Sequence, residues 1–307
     1  MTPLLAARDL ARWYGPVVGL VDVSLELEPG VIGLLGPNGA GKSTFLKLVA
    51  GEIRPSRGAI EVLGRNPFGN RAHFAETGFC PQQDALYNEM TGRDFVAFLL
   101  RLSGDSARQA RERAAAALER VGLADAMHRP TRGYSRGMRQ RTKIAQAIAH
   151  APKLLVADEP LAGLDPIARR GIVELLLELA REGTSILVSS HVLHEVEELT
   201  ENVLLLHRGR VLAQGQVREI RALLSRHPRK VEIRVRDARS LARALLDLPG
   251  VASLRIGADG ASLGVETHDL EGFLAALPRT AAAVRAGIKS LETPDAGLEA
   301  VFEYLVS

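Results

Sequence analysis

The sequence predicts an α/β fold built on a parallel sheet, followed by a small α+β domain. Short apolar runs of strand length, Val31–Leu35, Leu154–Ala157 and residues 184–190, alternate with segments of helical spacing. That alternation is typical of parallel strands joined by crossover helices. The first run leads into a glycine-rich loop that opens a helix, and the composition shifts near residue 218 to a basic stretch. We therefore expect a large domain and a smaller C-terminal one.

Composition indicates an ordinary globular protein. Of the 307 residues, 46% are hydrophobic and 24% charged, and the net charge of +3 is too small to predict a general attraction to nucleic acid. The single cysteine, Cys80, excludes an intramolecular disulfide, suits a reducing compartment and is expected to be a small buried hydrophobe. We expect no signal peptide and no membrane span, because no stretch approaches about 18 apolar residues.

Residues 4–28 are predicted to form two or three short strands, and the stretch 21–27 alternates as a half-buried strand does. Trp13 and Tyr14 lie between them. A ring face can accept an adenine base at little entropic cost. An aromatic residue of the core or of a strand edge is the alternative interpretation. A further strand is predicted over residues 56–64.

The glycine-rich loop has the spacing of a phosphate-binding loop, between the strand Val31–Leu35 and a helical stretch at residues 45–50. Glycines let backbone N–H groups approach phosphate oxygens, and the helix N-terminus adds partial positive charge. Lys42 can reach the β- and γ-phosphates, and the Ser43 hydroxyl can ligate Mg²⁺. A chance glycine turn is the alternative, which the flanking elements disfavour. The predicted loop comprises Gly36, Pro37, Asn38, Gly39, Ala40, Gly41, Lys42, Ser43 and Thr44.

A helical section is predicted from residue 91 to about residue 150, after a strand that ends in a polar loop at residues 79–84. Within it, residues 109–121 form an amphipathic helix that Gly122 ends. Ser135 caps a further helix after a glycine turn, which makes a second possible anion site. The basic side chains of that helix lack interleaved aromatics, so a solvated helix face is expected rather than nucleic-acid binding. These side chains are Arg136, Arg139, Arg141 and Lys143.

The strand Leu154–Ala157 ends in two carboxylates, Asp158 and Glu159. Acids at the carboxyl end of a parallel strand lie where an α/β nucleotide site needs them. Asp158 can hold Mg²⁺, and Glu159 can orient an attacking water. An acidic turn is the alternative. His191 follows the next buried strand at a neighbouring strand end, and a metal pair of His191 with His194 is rejected because no third ligand is evident.

The C-terminal part of the chain follows a predicted hairpin at residues 203–215 and a basic linker at residues 218–230. Its predicted order is strand, helix, two strands, helix, strand and a last helix, which suggests a ferredoxin-like domain. It contains no acid pair, cysteine cluster or glycine loop, so no chemistry is assigned to it. The predicted elements lie at residues 231–235, 241–248, 251–256, 262–266, 270–277, 283–291 and 296–306.

Over residues 4 to about 220, the order of these motifs resembles the nucleotide-binding subunit of an ATP-binding cassette (ABC) transporter. Asp165, after Leu164, opens a helix that Gly183 ends, and it matches the family's D-loop. The other matches follow the chain. They are Tyr14 for the adenine-stacking aromatic, residues 36–44 for the Walker A loop, Gln82 for the Q-loop, residues 134–138 for the signature, Asp158 and Glu159 for the Walker B pair, and His191 for the switch histidine.

The resemblance implies a P-loop NTPase at residues 1–222, with a RecA-like core, an antiparallel β subdomain and a helical subdomain at about 90–150. An accessory or regulatory domain would occupy residues 228–307. It implies an ATPase that binds ATP and Mg²⁺. Catalysis would fall to Glu159, His191, Lys42 and Gln82. Ser43, Gln82 and Asp158 would hold the metal, while Tyr14, residues 36–44, Ser135, Gly137 and Asp165 would contact the nucleotide.

The resemblance also implies partners. Ser135 and Gly137 would close over a nucleotide held by a second copy of the chain or by a paralogous ATPase. The Gln82 loop and the helical section would dock a separate membrane-embedded permease, so the chain would lie in the cytoplasm against the inner face of the membrane. No nucleic-acid partner is expected. A soluble cassette ATPase that serves as a non-transport scaffold or assembly factor stays the alternative.

The signature departs from the family's commonest form, Leu-Ser-Gly-Gly-Gln, at Arg136 and Met138. Its Tyr-Ser-basic-Gly-Met form is similar to the exporter branch associated with drug, lipid and polysaccharide efflux. Residues 297–302 resemble the tail that follows the cassette in that branch. Export is therefore the expected direction of transport.

Overall fold

The computed structural model describes residues 3–219 and 228–293. The chain divides into two compact units, residues 1–216 and 217–307. The strands of the first unit are β1 (Leu5–Tyr14), β2 (Val17–Leu27), β3 (Val31–Leu35), β4 (Arg57–Val62), β5 (Thr77–Cys80), β6 (Leu154–Ala157), β7 (Ser185–Ser190), β8 (Asn202–His207) and β9 (Arg210–Gln216). Its helices are α1 (Lys42–Val49), α2 (Arg71–Glu76), α3 (Gly92–Leu102), α4 (Ala107–Arg120), α5 (Arg136–Ile148), α6 (Pro166–Arg181) and α7 (Leu193–Glu197).

A six-stranded sheet forms the centre of the first unit, in the order β5-β6-β7-β3-β8-β9. All neighbours are parallel except β8 and β9, which form the predicted antiparallel hairpin. Every residue of β6 and β7 is buried, as expected for parallel strands covered on both faces. The carboxyl ends of β3, β6 and β7 therefore meet at one edge of the sheet.

A second, antiparallel sheet of the order β2-β1-β4 is built from the N-terminal strands. The β1–β2 hairpin pairs Leu5 with Leu27 and Tyr14 with Val17. The inward side chains of both strands join the core that surrounds α1, which includes Leu20, Phe45 and Leu46. This packing places the aromatic end of β1 next to the loop that opens α1.

Three helices, α3, α4 and α5, pack on one another beside the central sheet. Their starts follow from local capping. The Thr91 hydroxyl accepts from the N–H of Asp94, and Ser106 with Gln109 forms a capping box. Gly122 follows the end of α4 with φ of 72°, as its predicted role as a helix terminator requires.

The second unit has strands β10 (Arg229–Val235), β11 (Val251–Ile256), β12 (Ser262–Thr267) and β13 (Ile288–Glu292), with helices α8 (Ala238–Leu245) and α9 (Leu270–Ala283). Its sheet is antiparallel in the order β11-β12-β10-β13. In chain order this is strand two, three, one, four, the ferredoxin-like arrangement. That part of the predicted fold is confirmed.

The sequence prediction placed the end of the second helix of this unit too early. The predicted helix stops before Pro278, whereas α9 continues through Pro278 to Ala283, and the next strand begins only at Ile288. Phe273, Leu277 and Ala281 lie on one buried face at four-residue spacing. Burial of that face outweighs the helix bond lost at proline. The predicted last helix at 296–306, the tail at 297–302 and most of the predicted linker lie outside the described residues.

Candidate functional site

The phosphate-loop residues line a cleft of about 310 Å³ in the first unit. The loop leaves the end of β3 and ends at α1, whose N-cap is Gly41. The residues that line the cleft come from β1, β2, the loop, the segment after β5 and the turn after β6. They are Tyr14, Val17, Val18, Gly19, Pro37, Asn38, Gly39, Ala40, Gly41, Lys42, Ser43, Thr44, Gln82 and Glu159.

Two glycines of the loop are required by close backbone contacts. A Cβ added to Gly36 would lie 2.5 Å from the carbonyl oxygen of Leu206. Gly41 has φ of 104°, and a Cβ there would lie 2.5 Å from the carbonyl oxygen of Gly19. The loop thus presses directly against its neighbours. The loop ends at the N-terminus of α1, and a glycine-rich loop at a helix N-terminus is an arrangement that favours anions.

Lys42 is buried in this cleft, with only 6% of its surface exposed. Its Nζ donates to the carbonyl oxygens of Gly36 at 2.7 Å and Pro37 at 3.3 Å. It also forms an ion pair with Glu159, with Nζ 3.3 Å from Oε1. A buried ammonium group needs such partners because its desolvation is costly. Lys42 therefore points a compensated positive charge into the cleft.

The two acids after β6 differ in their surroundings. Asp158 accepts a hydrogen bond at Oδ1 from the Ser189 hydroxyl, 2.7 Å away. The N–H of Glu159 donates to the same hydroxyl oxygen at 2.8 Å, which supports Glu159 at φ of 50°. Residues other than glycine rarely adopt a positive φ. Ser189 thus fixes the turn that sends the Glu159 carboxylate toward Lys42.

His191 lies on the other side of Glu159. Its Nδ1 is 2.9 Å from Glu159 Oε2, so the carboxylate bridges Lys42 and His191. The side chain of Glu159 is 5% exposed, whereas that of His191 is 48% exposed. The two adjacent parallel strands β6 and β7 deliver these groups at neighbouring ends. The arrangement gives a sheltered carboxylate with a solvent-accessible imidazole beside it.

Tyr14 stands at the rim of the cleft, with 42% of its surface exposed. The guanidinium carbon of Arg12 lies 4.9 Å from its ring centroid, in cation–π contact. Arg12 is held in turn by a hydrogen bond from its Nη1 to the carbonyl oxygen of Arg54, at 3.1 Å. The ring is therefore exposed but positioned. Sequence reasoning missed Arg12, although its place two residues before Tyr14 on a strand was an available signal.

Two of the four basic side chains of α5 that were predicted to be solvated, Arg139 and Lys143, are held by protein groups instead, whereas Arg136 is exposed. Arg139 forms an ion pair with Asp84 and donates to the carbonyl oxygen of Thr131 at 2.8 Å. Burial alone would raise the pKa of Asp84, but the hydrogen bond from Arg139 and its charge hold that pKa below the usual value. Lys143 is only 6% exposed and donates to carbonyl oxygens of the Gln82 loop. Fixed oxygen atoms replace water around these cations, which a sequence pattern does not reveal.

Ser135, Gly137 and Asp165 do not line the cleft with the phosphate loop. Ser135 caps α5 and accepts from the N–H of Met138 at 3.3 Å. Asp165 caps α6, accepting from the N–H groups of Ile167 and Ala168. Gly137 faces α6, because a Cβ there would lie 3.5 Å from the Cβ of Ala168. The starts of the two helices therefore form a second region, separate from the cleft.

Arg136, the first departure in the signature, lies against this second region. A Cβ added to Gly163 would lie 2.1 Å from the guanidinium carbon of Arg136. Gly163 also has φ of 65°, so its conformation and its neighbour both require glycine. The guanidinium thus covers the backbone just before Asp165.

The motif order is matched by known proteins. A model of the ABC transporter family matches residues 20–162. The uncharacterized ABC transporter ATP-binding protein YxlF of Bacillus subtilis is 37% identical over 219 residues, covering 71% of this chain and 72% of the relative. The chain belongs to the ATP-binding proteins of ABC transporters. Members of that family are ATPases that use ATP with Mg²⁺ and act with membrane permeases.

Two further likenesses extend this assignment. The daunorubicin/doxorubicin resistance ATP-binding protein DrrA of Streptomyces peucetius is 34% identical over 248 residues, covering 79% of this ABC protein and 74% of DrrA. The solved ATP-binding subunit of an ABC transporter superposes with a TM-score of 0.64 at 32% identity, covering 72% of this chain and 93% of that one. The fold of the first unit is thus a P-loop NTPase cassette. Within the described residues, no helix of this ABC protein is long and apolar enough to cross a bilayer.

The chemistry of the side chains near the cleft fits Mg²⁺. Ser43 offers a hydroxyl, Gln82 an amide oxygen and Asp158 a carboxylate, all hard oxygen donors of the kind Mg²⁺ prefers. The described residues contain no group of three or more histidine, cysteine or acidic side chains that would suit a different metal. Cys80 is fully buried, and burial raises the pKa of its thiol to about 12, so it behaves as a core residue.

Sequence reasoning missed Ser189 and Lys143, the two residues that fix Glu159 and the Gln82 loop. Ser189 stands at the end of a buried strand beside the acid-bearing strand, so its position was an available signal. Lys143 gave none, because one lysine on an amphipathic helix has the same pattern whether it is solvated or buried.

Proposed function

We propose that the chain is the ATP-hydrolysing subunit of a transporter that exports its substrate through a separate membrane-embedded permease. One observation carries the catalytic part: the buried Glu159 carboxylate lies between Lys42 and His191, at 3.3 and 2.9 Å. A sheltered carboxylate beside a phosphate-binding loop is placed to orient and polarise an attacking water. Glu159 is the proposed base.

The other residues of the cleft position the triphosphate. Lys42 and the loop N–H groups bind phosphate oxygens and offset their charge. Tyr14 stacks on the adenine ring, and His191 holds the γ-phosphate. Ser43, Gln82 and Asp158 would hold Mg²⁺, which when bound neutralises part of the phosphate charge. Phosphoryl transfer asks mainly for positioning and charge stabilisation, which these fixed groups supply.

A complete site also needs a second ATP-binding subunit. Ser135 and Gly137 lie outside the cleft that holds Lys42, yet their helix start offers N–H groups and a hydroxyl suited to an anion. We place them over the γ-phosphate bound by a partner subunit, with Asp165 beside them. The partner is a second copy or a paralogous ATPase, arranged head to tail.

An apolar groove of about 440 Å³ next to the Gln82 loop suits the permease. Tyr87 projects from its wall with 55% of its surface exposed, and its ring makes edge contacts with Phe95 and Phe98 at centroid distances of 5.9 and 6.1 Å. An amphipathic helix of a partner typically binds such a groove through its apolar face. We propose that a cytoplasmic helix of the permease docks here and holds the chain at the membrane.

Export is proposed from the signature and from one relative. The Tyr134-Ser-Arg-Gly-Met138 sequence resembles the signature of the exporter branch, and the name of DrrA describes resistance to daunorubicin and doxorubicin. Copurification of the tagged chain with an integral membrane protein would support the transporter assignment. Its absence from membrane extracts of the native organism would favour a non-transport scaffold.

The decisive experiment compares Glu159→Gln with Lys42→Ala. Glutamine keeps the shape of the side chain but cannot accept the proton, so turnover should fall on the order of 10²-fold or more. ATP binding should survive, because the phosphate contacts come from Lys42 and the loop. We therefore expect Glu159→Gln to form a stable dimer with trapped ATP in size-exclusion chromatography with Mg-ATP.

Lys42→Ala is the control, because it loses the phosphate contact itself and should remain monomeric. Hydrolysis by Glu159→Gln at the parent rate would remove Glu159 as the base. An inactive Glu159→Gln that stays monomeric even beside its membrane partner would rule out the shared site.

A further inference from the structure

Lys143 makes an unusual set of contacts beneath the Gln82 loop. Its Nζ donates to three successive carbonyl oxygens, those of Pro81 at 2.8 Å, Gln82 at 3.0 Å and Gln83 at 3.5 Å. An ammonium group has three hydrogens to donate, so the loop backbone satisfies all of them. Among the described residues no carboxylate lies within salt-bridge distance of Lys143, so its hydrogen bonds go to the loop carbonyls, while the charges of Asp84 and Asp158 act on it from farther away.

Lysine and loop depend on each other energetically. Burial lowers the pKa of Lys143, as expected for an ammonium group removed from water. Three converging carbonyl oxygens, in turn, repel one another and need a donor between them. Removing the ammonium would leave these carbonyls without their partner, and the loop would move to find water. Lys143 thus holds the first part of the loop, at residues 81–83, while Arg139 holds its far end through the ion pair with Asp84.

Gln146, one turn further along α5, and His150, just beyond the end of this helix, bind the chain differently. The Gln146 side chain donates to the carbonyl oxygen of Phe79 at 2.6 Å, and the His150 ring lies 3.3 Å from the carbonyl oxygen of Thr77. Both acceptors belong to β5, which the sheet already fixes. Lys143 binds the segment beyond the strand, which lacks such support.

The loop that Lys143 holds separates two cavities. Gln82 lines the cleft of the phosphate loop, whereas Pro81 and Lys143 line the apolar groove proposed for the permease. Gln82 and Lys143 therefore line different cavities, and the backbone of residues 81–83 connects them. We propose that Lys143 is a positioning residue that sets how far Gln82 reaches into the nucleotide site. This inference rests on the role proposed for Gln82.

A double-mutant cycle in the full chain tests the inference. Lys143→Met keeps the length of the side chain but removes its donors, and Gln82→Ala removes the positioned group. We expect Lys143→Met to lower kcat about ten- to a hundredfold, the scale of a misplaced catalytic group, and to raise the Mg²⁺ concentration needed for half-maximal rate. The double variant should be no slower than Gln82→Ala, because Lys143 acts through Gln82.

Gln146→Met is the matched control. It removes a donor from the same helix face, so it should lower thermal stability as Lys143→Met does, yet leave kcat and the Mg²⁺ dependence unchanged. If Lys143→Met does not fold, Lys143→Gln, which keeps two donor hydrogens, replaces it in the cycle.

The contrary outcomes are distinct. The positioning role would be overturned if the double variant were slower than Gln82→Ala by the same factor as Lys143→Met is slower than the parent. A parent-like kcat in Lys143→Met, or an equal loss of kcat in Gln146→Met, would overturn it as well. Each of these outcomes would leave Gln82 in the site. A parent-like Gln82→Ala would instead remove Gln82 from the proposed site, and the inference with it.

Discussion

The two units of the chain bury different kinds of side chains. In the first unit, Lys42, Lys143, Asp158 and Glu159 are all less than a tenth exposed. In the described part of the second unit, the only buried polar side chain is Thr267. Burying a charge is costly unless fixed partners replace water. The sequence of the first unit is therefore constrained by the partners that its buried charges need, whereas that of the second unit is constrained by packing.

The strongest test of this contrast is Phe273→Ala in the second unit. Phe273 is 2% exposed and belongs to a cluster with Leu241 and Leu277. Its removal should lower the free energy of unfolding of that unit by about 3–5 kcal/mol. Chemical denaturation followed by circular dichroism would measure it, and the ATPase rate at low temperature should stay at the parent value. A parallel loss of ATPase rate would show that the units are not separable.

Tyr14→Ala should weaken ATP binding and leave stability unchanged, the reverse of what is expected for Phe273→Ala. The ring is exposed, so its removal should barely change unfolding, yet ATP binding should weaken by about 1–3 kcal/mol, the value of one stacked base. Isothermal titration calorimetry with ATP would measure the loss of binding free energy, with Tyr14→Phe as the control that keeps the ring. Equal losses for both variants would show that the hydroxyl, not the stacking face, is used.

Deletion of residues 228–307 should have the smallest effect on the cassette. We propose that residues 1–222 fold independently and that the remainder supports dimer contacts or regulation. The truncated chain should stay soluble and should bind ATP with the affinity of the full chain, because the residues that line the cleft all lie before residue 222. A cassette that aggregates where the full chain does not would contradict independent folding.

Local signals predicted much of the first unit. The strand β3, the glycine loop and the start of α1 are contiguous, so their sequence alone indicates a phosphate site. Asp158, Glu159 and His191 were placed at strand ends because parallel strands present those ends together. The strand order was not predictable in this way, since nothing local shows that β3 lies between β7 and β8. That order is decided by long-range packing.

The errors have one physical origin. Lys143 was expected in solvent and Pro278 at a helix end, and tertiary contacts overrode both local rules. Three loop carbonyls compensate the buried lysine, and the buried face of α9 outweighs the proline. Local patterns report the cost of such features, but the compensating contacts come from residues distant in the chain.

The ion pair between Glu159 and Lys42 means that the carboxylate and a bound triphosphate compete for the same ammonium group. One ammonium cannot hold a carboxylate and a triphosphate equally well, so phosphate oxygens arriving at Lys42 compete with Glu159 Oε1, which lies 3.3 Å from Nζ. The proposed base is thereby released toward His191 by the same event that delivers its substrate. The ion pair with Lys42 would therefore keep the carboxylate occupied until the triphosphate that it is proposed to hydrolyse has bound.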